Sequence, residues 1–323
     1  THDQSSAASD VYKRQTPMLG ILNIDKPKGW SSFDVIRFLK RLFNEKKAGH
    51  LGTLDPLASG VLPVFLGKGT RLIPYFNETD KIYRAHIHLG IRTDSFDAEG
   101  KILEEKKCPE FSKKELESAL DSFRGRHLQS VPAFSAVKIE GKRAYHLARQ
   151  GKVLKMPKRE VEFLELELEE VQLPYLQLRI HCSKGTYIRS LAEDLGSKLK
   201  VGAHLSGLVR LQCGKHFLLK NTCSPEALEK LDPESIPWID PVNLLDDWKT
   251  LNVDDLMTRD IALGRKILLE PKHVPSDLPE RRDSNITTLV NVKAVSSTNK
   301  LVAIGHFLWE DMDCHFQPSR VLV

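Results

Sequence analysis

Gly49-His50-Leu51-Gly52-Thr53-Leu54-Asp55-Pro56-Leu57-Ala58-Ser59-Gly60 places one acid in a run of glycine, proline and small residues, with a histidine five positions before it. Asp55 has no carboxylate or cysteine close by in sequence, which is a poor start for a metal cage. Gly49, Gly52 and Gly60 open backbone conformations closed to other residues. Pro56 disfavours the α region for Asp55. A solitary acid on a shaped loop suggests a nucleophile or a base. An isolated Asp-Pro is also a common turn, so the surrounding sequence has to decide.

Working outward, Gly20-Ile21-Leu22-Asn23-Ile24-Asp25-Lys26-Pro27-Lys28-Gly29 precedes the loop and Leu62-Pro63-Val64-Phe65-Leu66-Gly67 follows it. Further on come Asp80-Lys81-Ile82-Tyr83-Arg84-Ala85, then the block Leu89 to Gly100, then Ser130 to Tyr145, and Cys182-Ser183-Lys184-Gly185-Thr186-Tyr187-Ile188-Arg189. These ordered blocks, spanning roughly Met18 to Leu211, closely resemble the TruB family of tRNA pseudouridine synthases. There are departures. Leu51 stands where the family usually has Thr, Ser95 where Thr is usual, and Phe134 where Tyr is usual.

The resemblance implies isomerisation of uridine in the TΨC loop of tRNA, at conventional position fifty-five. The N1–C1′ bond breaks, the base turns, C5 joins C1′ and the C5 proton leaves. No redox step or group donor is needed, so no cofactor is implied. Asp55 is the implied carboxylate; it can attack C1′, attack C6 or remove the 2′ proton. Arg189 is its implied cationic partner, able to fork a carboxylate bidentately and hold its pKa down. Tyr83 is implied to stack on the base or to relay the C5 proton, although an ordinary phenol pKa of about 10 makes a poor base. Tyr187 and Leu208 match residues of the uracil pocket. His50 matches the family residue that enters the space left by the flipped base. Lys26 and Pro27, with Lys28, Lys46, Lys47 and Arg71, surround the loop in sequence and are expected near RNA phosphates.

Composition agrees with a globular nucleic-acid enzyme. The chain has 323 residues, 41% of them hydrophobic, and a net charge of +5. That allows one large domain and a smaller one. The mild positive excess suits a polyanion partner without requiring one. Five cysteines in an odd count, with no C-x-x-C pair, argue against a zinc or disulfide scaffold and fit a reducing, cytoplasmic setting. No apolar run approaches the roughly 20 residues that span a bilayer. Residues 1–17 read as a disordered or non-native lead.

Periodicity gives the expected elements. Leu19 to Ile24 is a strand, and Ser31 or Ser32 caps a helix reaching about Phe43, with Val35, Leu39 and Leu42 in one stripe. Lys81 to Leu89, Glu162 to Glu169 (apart from Leu164) and Leu176 to Cys182 alternate as strands. Ser112-Lys113-Lys114-Glu115 is a capping box. Lys142 to Arg149 and a segment carrying Ile188, Leu191, Leu195 and Leu199 read as helices. Elements mix without a βαβ period, so the expected class is α+β, with a mostly antiparallel mixed sheet flanked by helices. After about Trp248 the character changes. Leu289 to Val295 and Leu301 to Phe307 read as strands of a small β-rich C-terminal unit. The resulting division is a catalytic domain over residues 18–247 and a PUA-like RNA-binding domain over 248–323.

By the same resemblance the partner is the TΨC stem-loop of tRNA, with no obligate protein partner and a monomeric state. Two alternatives share most of these features: a tRNA-folding chaperone without catalysis, and a guide-RNA-dependent pseudouridine synthase. The trio Asp55, Tyr83 and Arg189 speaks against the first, because binding alone does not require it.

Overall fold

The computed structural model describes residues 18–76, 79–135, 137–139, 141–150, 155–274, 290–310 and 313–323. The lead expected at 1–17 and the strand start expected at Leu289 lie outside the described residues.

The strands and helices follow the chain in this order. β1 (Leu19–Lys26), α1 (Ser32–Leu42), β2 (Ala48–His50) and β3 (Ala58–Gly67) carry the Asp55 loop. β4 (Lys81–Leu89), β5 (Ile91–Thr93) and β6 (Ile102–Glu105) precede α2 (Lys113–Asp121) and β7 (Gly125–Ser130). The small hairpin β8 (Lys138–Ile139) and β9 (Lys142–Arg143) leads into α3 (Ala144–Arg149). The helix expected from Lys142 therefore starts two residues later, because Lys142 and Arg143 pair with Ile139 and Lys138. β10 (Lys158–Gln172), β11 (Tyr175–Cys182), α4 (Ile188–Lys198), β12 (Ala203–Cys213) and β13 (Phe217–Leu218) follow. Then come α5 (Pro225–Leu228), α6 (Pro241–Leu244), β14 (Lys249–Val253), α7 (Asp255–Ala262), β15 (Ile267–Leu268), β16 (Asn291–Ser296), β17 (Leu301–Glu310) and β18 (Asp313–Val321).

The main sheet runs β1-β3-β12-β4-β11-β10-β7, with β2 added on β3 and β13 on β12. All its pairs are antiparallel except β3 with β12, which run parallel from Leu208 opposite Ala58 to Arg210 opposite Gly60. β3 sits between neighbours and is covered on both faces, which is why it reads as a continuous apolar run. β4 alternates as expected, with Tyr83, Ala85, Ile87 and Leu89 buried. The interruption at Leu164 has a cause: the β10–β11 register shifts between Phe163 and Glu165, and Leu164 turns outward.

Helices α1, α2 and α4 cover one face of the sheet. Ser31 caps α1 and forms a capping box with Asp34, and Ser112 does the same with Glu115 on α2. Val35 and Leu39 of α1, Leu116 and Leu120 of α2, and Leu191 and Leu195 of α4 share one core with Ala85, Ile87, Leu178 and Ile180. On the other face, Ile21, Leu51 and Phe65 pack with Leu301, Ile304 and Leu322. Leu51, the departure from the usual Thr, is therefore a core residue that gives up a hydroxyl for apolar burial.

The second sheet, β14-β16-β17-β18-β15, is made by the C-terminal residues. β14 and β16 are parallel and the other neighbours antiparallel. β16 and β17 answer to the two strands expected here, while β14, β15 and the nine-residue β18 were not expected.

Candidate active site

The Asp55 loop leaves β2, turns through Asp55 and enters β3. Neighbouring elements pin it from three sides. The buried Ser32 hydroxyl, in the first turn of α1, accepts from Leu54 N (2.8 Å) and donates to Leu54 O (3.0 Å). The Gly29 amide donates to Pro56 O at 2.8 Å, and the Ala58 amide closes a turn on Asp55 O at 3.0 Å. From below, the fully buried Arg210 of β12 donates through Nε to Val61 O (2.6 Å) and through Nη2 to Gly52 O (3.1 Å). Gly60 lets the two strands close: its φ is +95°, and a Cβ there would meet the Arg210 carbonyl oxygen at 2.4 Å.

These bonds fix the backbone on both sides of Asp55. Replacing Ser32 with Ala leaves the buried Leu54 amide and carbonyl without their partner. The expected cost is about 1–3 kcal/mol of stability. We also expect kcat to fall more than KM rises, because the carboxylate loses its position. Urea unfolding and single-turnover kinetics read the two effects; an unchanged kcat would show that the loop holds its shape without Ser32.

The Asp55 carboxylate is open to solvent over 41% of the side chain, while the Arg189 side chain beside it is only 6% exposed. Arg189 lies in the first turn of α4. Its Nε is 2.9 Å from Asp55 Oδ2, but the N–H is not aligned on that oxygen as a hydrogen bond. The expected bidentate fork is not what forms. The rest of the guanidinium is spent elsewhere: Nη1 donates to Ser95 O (3.2 Å) and Nη2 to Phe134 O (2.9 Å). Nη1 also lies 3.4 Å from Oδ2 of the buried Asp97. Arg189 thus joins the loop, the Ser95–Asp97 turn and the Phe134 segment at one point.

Asp97 corrects the picture of a lone acid. No carboxylate is near Asp55 in sequence, but one shares its arginine in space. Asp97 Oδ1 accepts from the Ser95 hydroxyl (2.5 Å) and from Glu99 N (3.1 Å). The Ser95 hydroxyl therefore keeps a function where Thr is usual. The Phe134 departure is equally mild at this point, since Arg189 uses its backbone carbonyl.

The electrostatics also differ from the expectation that Arg189 would hold the Asp55 pKa down. The side chain is partly open, yet the protein packed around it desolvates the carboxyl and pushes its pKa up from the ordinary carboxylate value. Arg189 opposes that shift, and Asp97 reinforces it. A group that works as carboxylate then loses activity as pH falls through a pKa above the ordinary range.

The other expected residues are placed as follows. Lys26 is fully buried, and its Nζ donates to Pro27 O at 3.0 Å and to Trp30 O. It is not an RNA-facing lysine. Burial lowers its pKa to about 8, against the pull of Asp55. Pro27 supplies a carbonyl to the same turn. Lys28 is the exposed cation there. Tyr83 is buried on β4, and burial raises its phenol to about 12, which keeps it protonated near neutral pH. His50 ends β2 half-buried, with its Nδ1 unpartnered, and burial and Arg210 lower its pKa. Leu208 of β12 is buried in the cluster that holds Leu54, Leu57 and Tyr83. Tyr187 is the N-cap of α4, held by backbone only: Gln129 donates to Tyr187 O (3.0 Å) and accepts from Tyr187 N (2.8 Å). Sequence reasoning missed Ser32, Asp97, Gln129 and Arg210. Among the described residues no group of three or more His, Cys, Asp or Glu side chains is placed to hold a metal ion.

The chain has the fold of a pseudouridine synthase. It aligns with a chain of a Cbf5-Nop10-Gar1 complex at TM-score 0.66 and 24% identity, covering 94% of this chain and 85% of that one. A chain of an H/ACA RNP bound to a substrate RNA containing 2′-deoxyuridine aligns at 0.65 and 22%, with the same coverage. In sequence, residues 40–188 match the TruB family pseudouridylate synthase N-terminal domain. The chain is 40% identical over 310 residues to tRNA pseudouridine synthase B of Solibacter usitatus, covering 94% of this chain and all of that protein. Identity to the same-named protein of Clostridium tetani is 38% over 252 residues, 77% of this chain and 86% of that one. The chain belongs to the TruB family.

Proposed function

We propose that this enzyme, which forms pseudouridine in tRNA, acts on the uridine of the TΨC loop, flips it from its stack, and uses Asp55 as the carboxylate that starts the rearrangement. One observation carries this reading: an acid open to solvent on a pinned loop, with a buried guanidinium 2.9 Å behind it. Arg189 and the buried Lys26 place positive charge around Asp55 and oppose its protonation. Leu208 and Tyr83 supply an apolar and aromatic wall against which a freed uracil can lie, and Tyr187 stands at the start of the helix that carries Arg189. His50 is the side chain next to the loop that fits a vacated base position. The described C-terminal strands serve as a PUA-like RNA-binding unit.

The chemistry closes without an outside reactant. The N1–C1′ bond breaks, C5 takes its place at C1′, the C5 proton leaves and N1 regains a proton. Asp55 supplies the carboxylate, and Leu208 and Tyr83 supply the pocket.

Incubation of unmodified tRNA transcript with the pure protein, followed by carbodiimide mapping, tests the assignment. Pseudouridine is expected at one uridine of the TΨC loop, with no added RNA or protein. Modification elsewhere would refute the site. A requirement for a guide RNA would move the protein to the guide-dependent branch.

A further inference from the structure

The outer face of α1 takes no part in the site described above. The inner face, with Val35, Ile36 and Leu39, is buried. On the outside, Phe33, Arg37 and Arg41 recur every four residues and share one stripe. Phe33 is 65% exposed. The Arg37 guanidinium lies 5.4 Å from the Phe33 ring centre, and that of Arg41 lies 5.9 Å from Phe38. Trp30 meets Phe38 edge-on at 5.9 Å. Trp30, Asp34, Arg37, Phe38 and Arg41 line an open cavity of about 430 Å³.

Phe33 is left in water beside the Arg37 guanidinium, while Trp30 and Phe38 are partly buried and floor the open cavity beneath the two arginines, so the face joins an exposed ring to positive charge. Arginine forks match phosphate, and a ring face accepts a base of any identity. The one acid in the cavity, Asp34, is engaged by Ser31 and Arg37. Arg37, Lys40 and Arg41 leave this helix face positive. Its position is equally telling. The start of α1 is tied to the Asp55 loop through Ser32 and Gly29, so the stripe leads outward from the site.

We infer that this face docks RNA: a nucleotide of the substrate tRNA, other than the reacting uridine, sets its phosphate on Arg37 and Arg41 and its base against Phe33. The inference rests on the tRNA reading above.

The test uses the full chain with Phe33→Ala and with the pair Arg37→Gln and Arg41→Gln. All three side chains are exposed, so thermal melts serve as the folding control. Filter binding to tRNA transcript across a salt series and steady-state kinetics are the readouts. Phe33→Ala is expected to raise Kd and KM about five-fold or more, with kcat within two-fold. The arginine pair is expected to raise Kd about ten-fold and lower the salt slope by roughly 1 to 2. Unchanged Kd, KM and slope in an otherwise active enzyme would overturn the inference. So would concentration-dependent self-association that Phe33→Ala abolishes at unchanged tRNA affinity, because the face would then bind a second copy. A wild-type protein that makes no pseudouridine in tRNA would instead defeat the functional reading.

Discussion

Asp55→Asn is expected to abolish pseudouridine formation, by at least about 10³-fold in single-turnover rate, while tRNA affinity stays within several-fold. The amide keeps the size of the carboxyl but can neither attack nor take a proton. Affinity survives because the phosphate and base contacts lie elsewhere. The same substitution has a predictable sign on stability. Burial raises the folded-state pKa of Asp55 above its unfolded value. Its ionisation at neutral pH therefore weakens the native state, and that penalty disappears as pH falls through the folded pKa. The Asn variant should unfold no earlier than wild type at neutral pH. Undiminished turnover by Asp55→Asn would remove the carboxylate from the mechanism. In wild type, the acid limb of kcat/KM should sit above the ordinary carboxylate range.

Arg189→Met is expected to damage stability and activity together. The side chain is 6% exposed and serves two carboxylates and two backbone carbonyls. Its loss leaves Asp97 buried without a counter-charge and the Ser95 and Phe134 carbonyls without their donor. Removing one partner of a buried ion pair costs about 3–5 kcal/mol. The urea midpoint should drop accordingly, and the surviving folded fraction should be inactive because Asp55 has lost its nearest cation. Arg189→Lys restores charge but cannot reach four acceptors, so it should recover only part of either loss. A midpoint equal to wild type would mean that the three-way junction at Arg189 is not structural.

The sequence carried the Asp55 loop, the position of Arg189, the capping box of α2, a serine cap on α1 and the alternation of the central strands, because each is a local pattern. What it hid is of another kind. Ser32 looked like a spare helix cap, and only the approach of the Leu54 backbone gives its hydroxyl a purpose. Lys26 stood among basic residues and was expected at a phosphate, yet it is turned inward and held by backbone carbonyls. Asp97 is 42 residues from Asp55, so no spacing rule would join them, although they share one arginine. Gln129 reads as an ordinary polar strand residue until Tyr187 meets it. The pKa of Asp55 was expected low because a nearby cation is easy to imagine from a motif. The surrounding protein that desolvates the carboxyl is visible only in three dimensions.

The apolar cluster in which Ile21 and Phe65 meet Leu301, Ile304 and Leu322 has a practical corollary. The tail of the chain is not an appendage that can be trimmed to leave a tidy catalytic fragment. Cutting it away would strip grease from the back of β1 and of β3, the strand that leads out of the reacting loop. A shortened protein would therefore pay in solubility before any change in RNA grip became measurable.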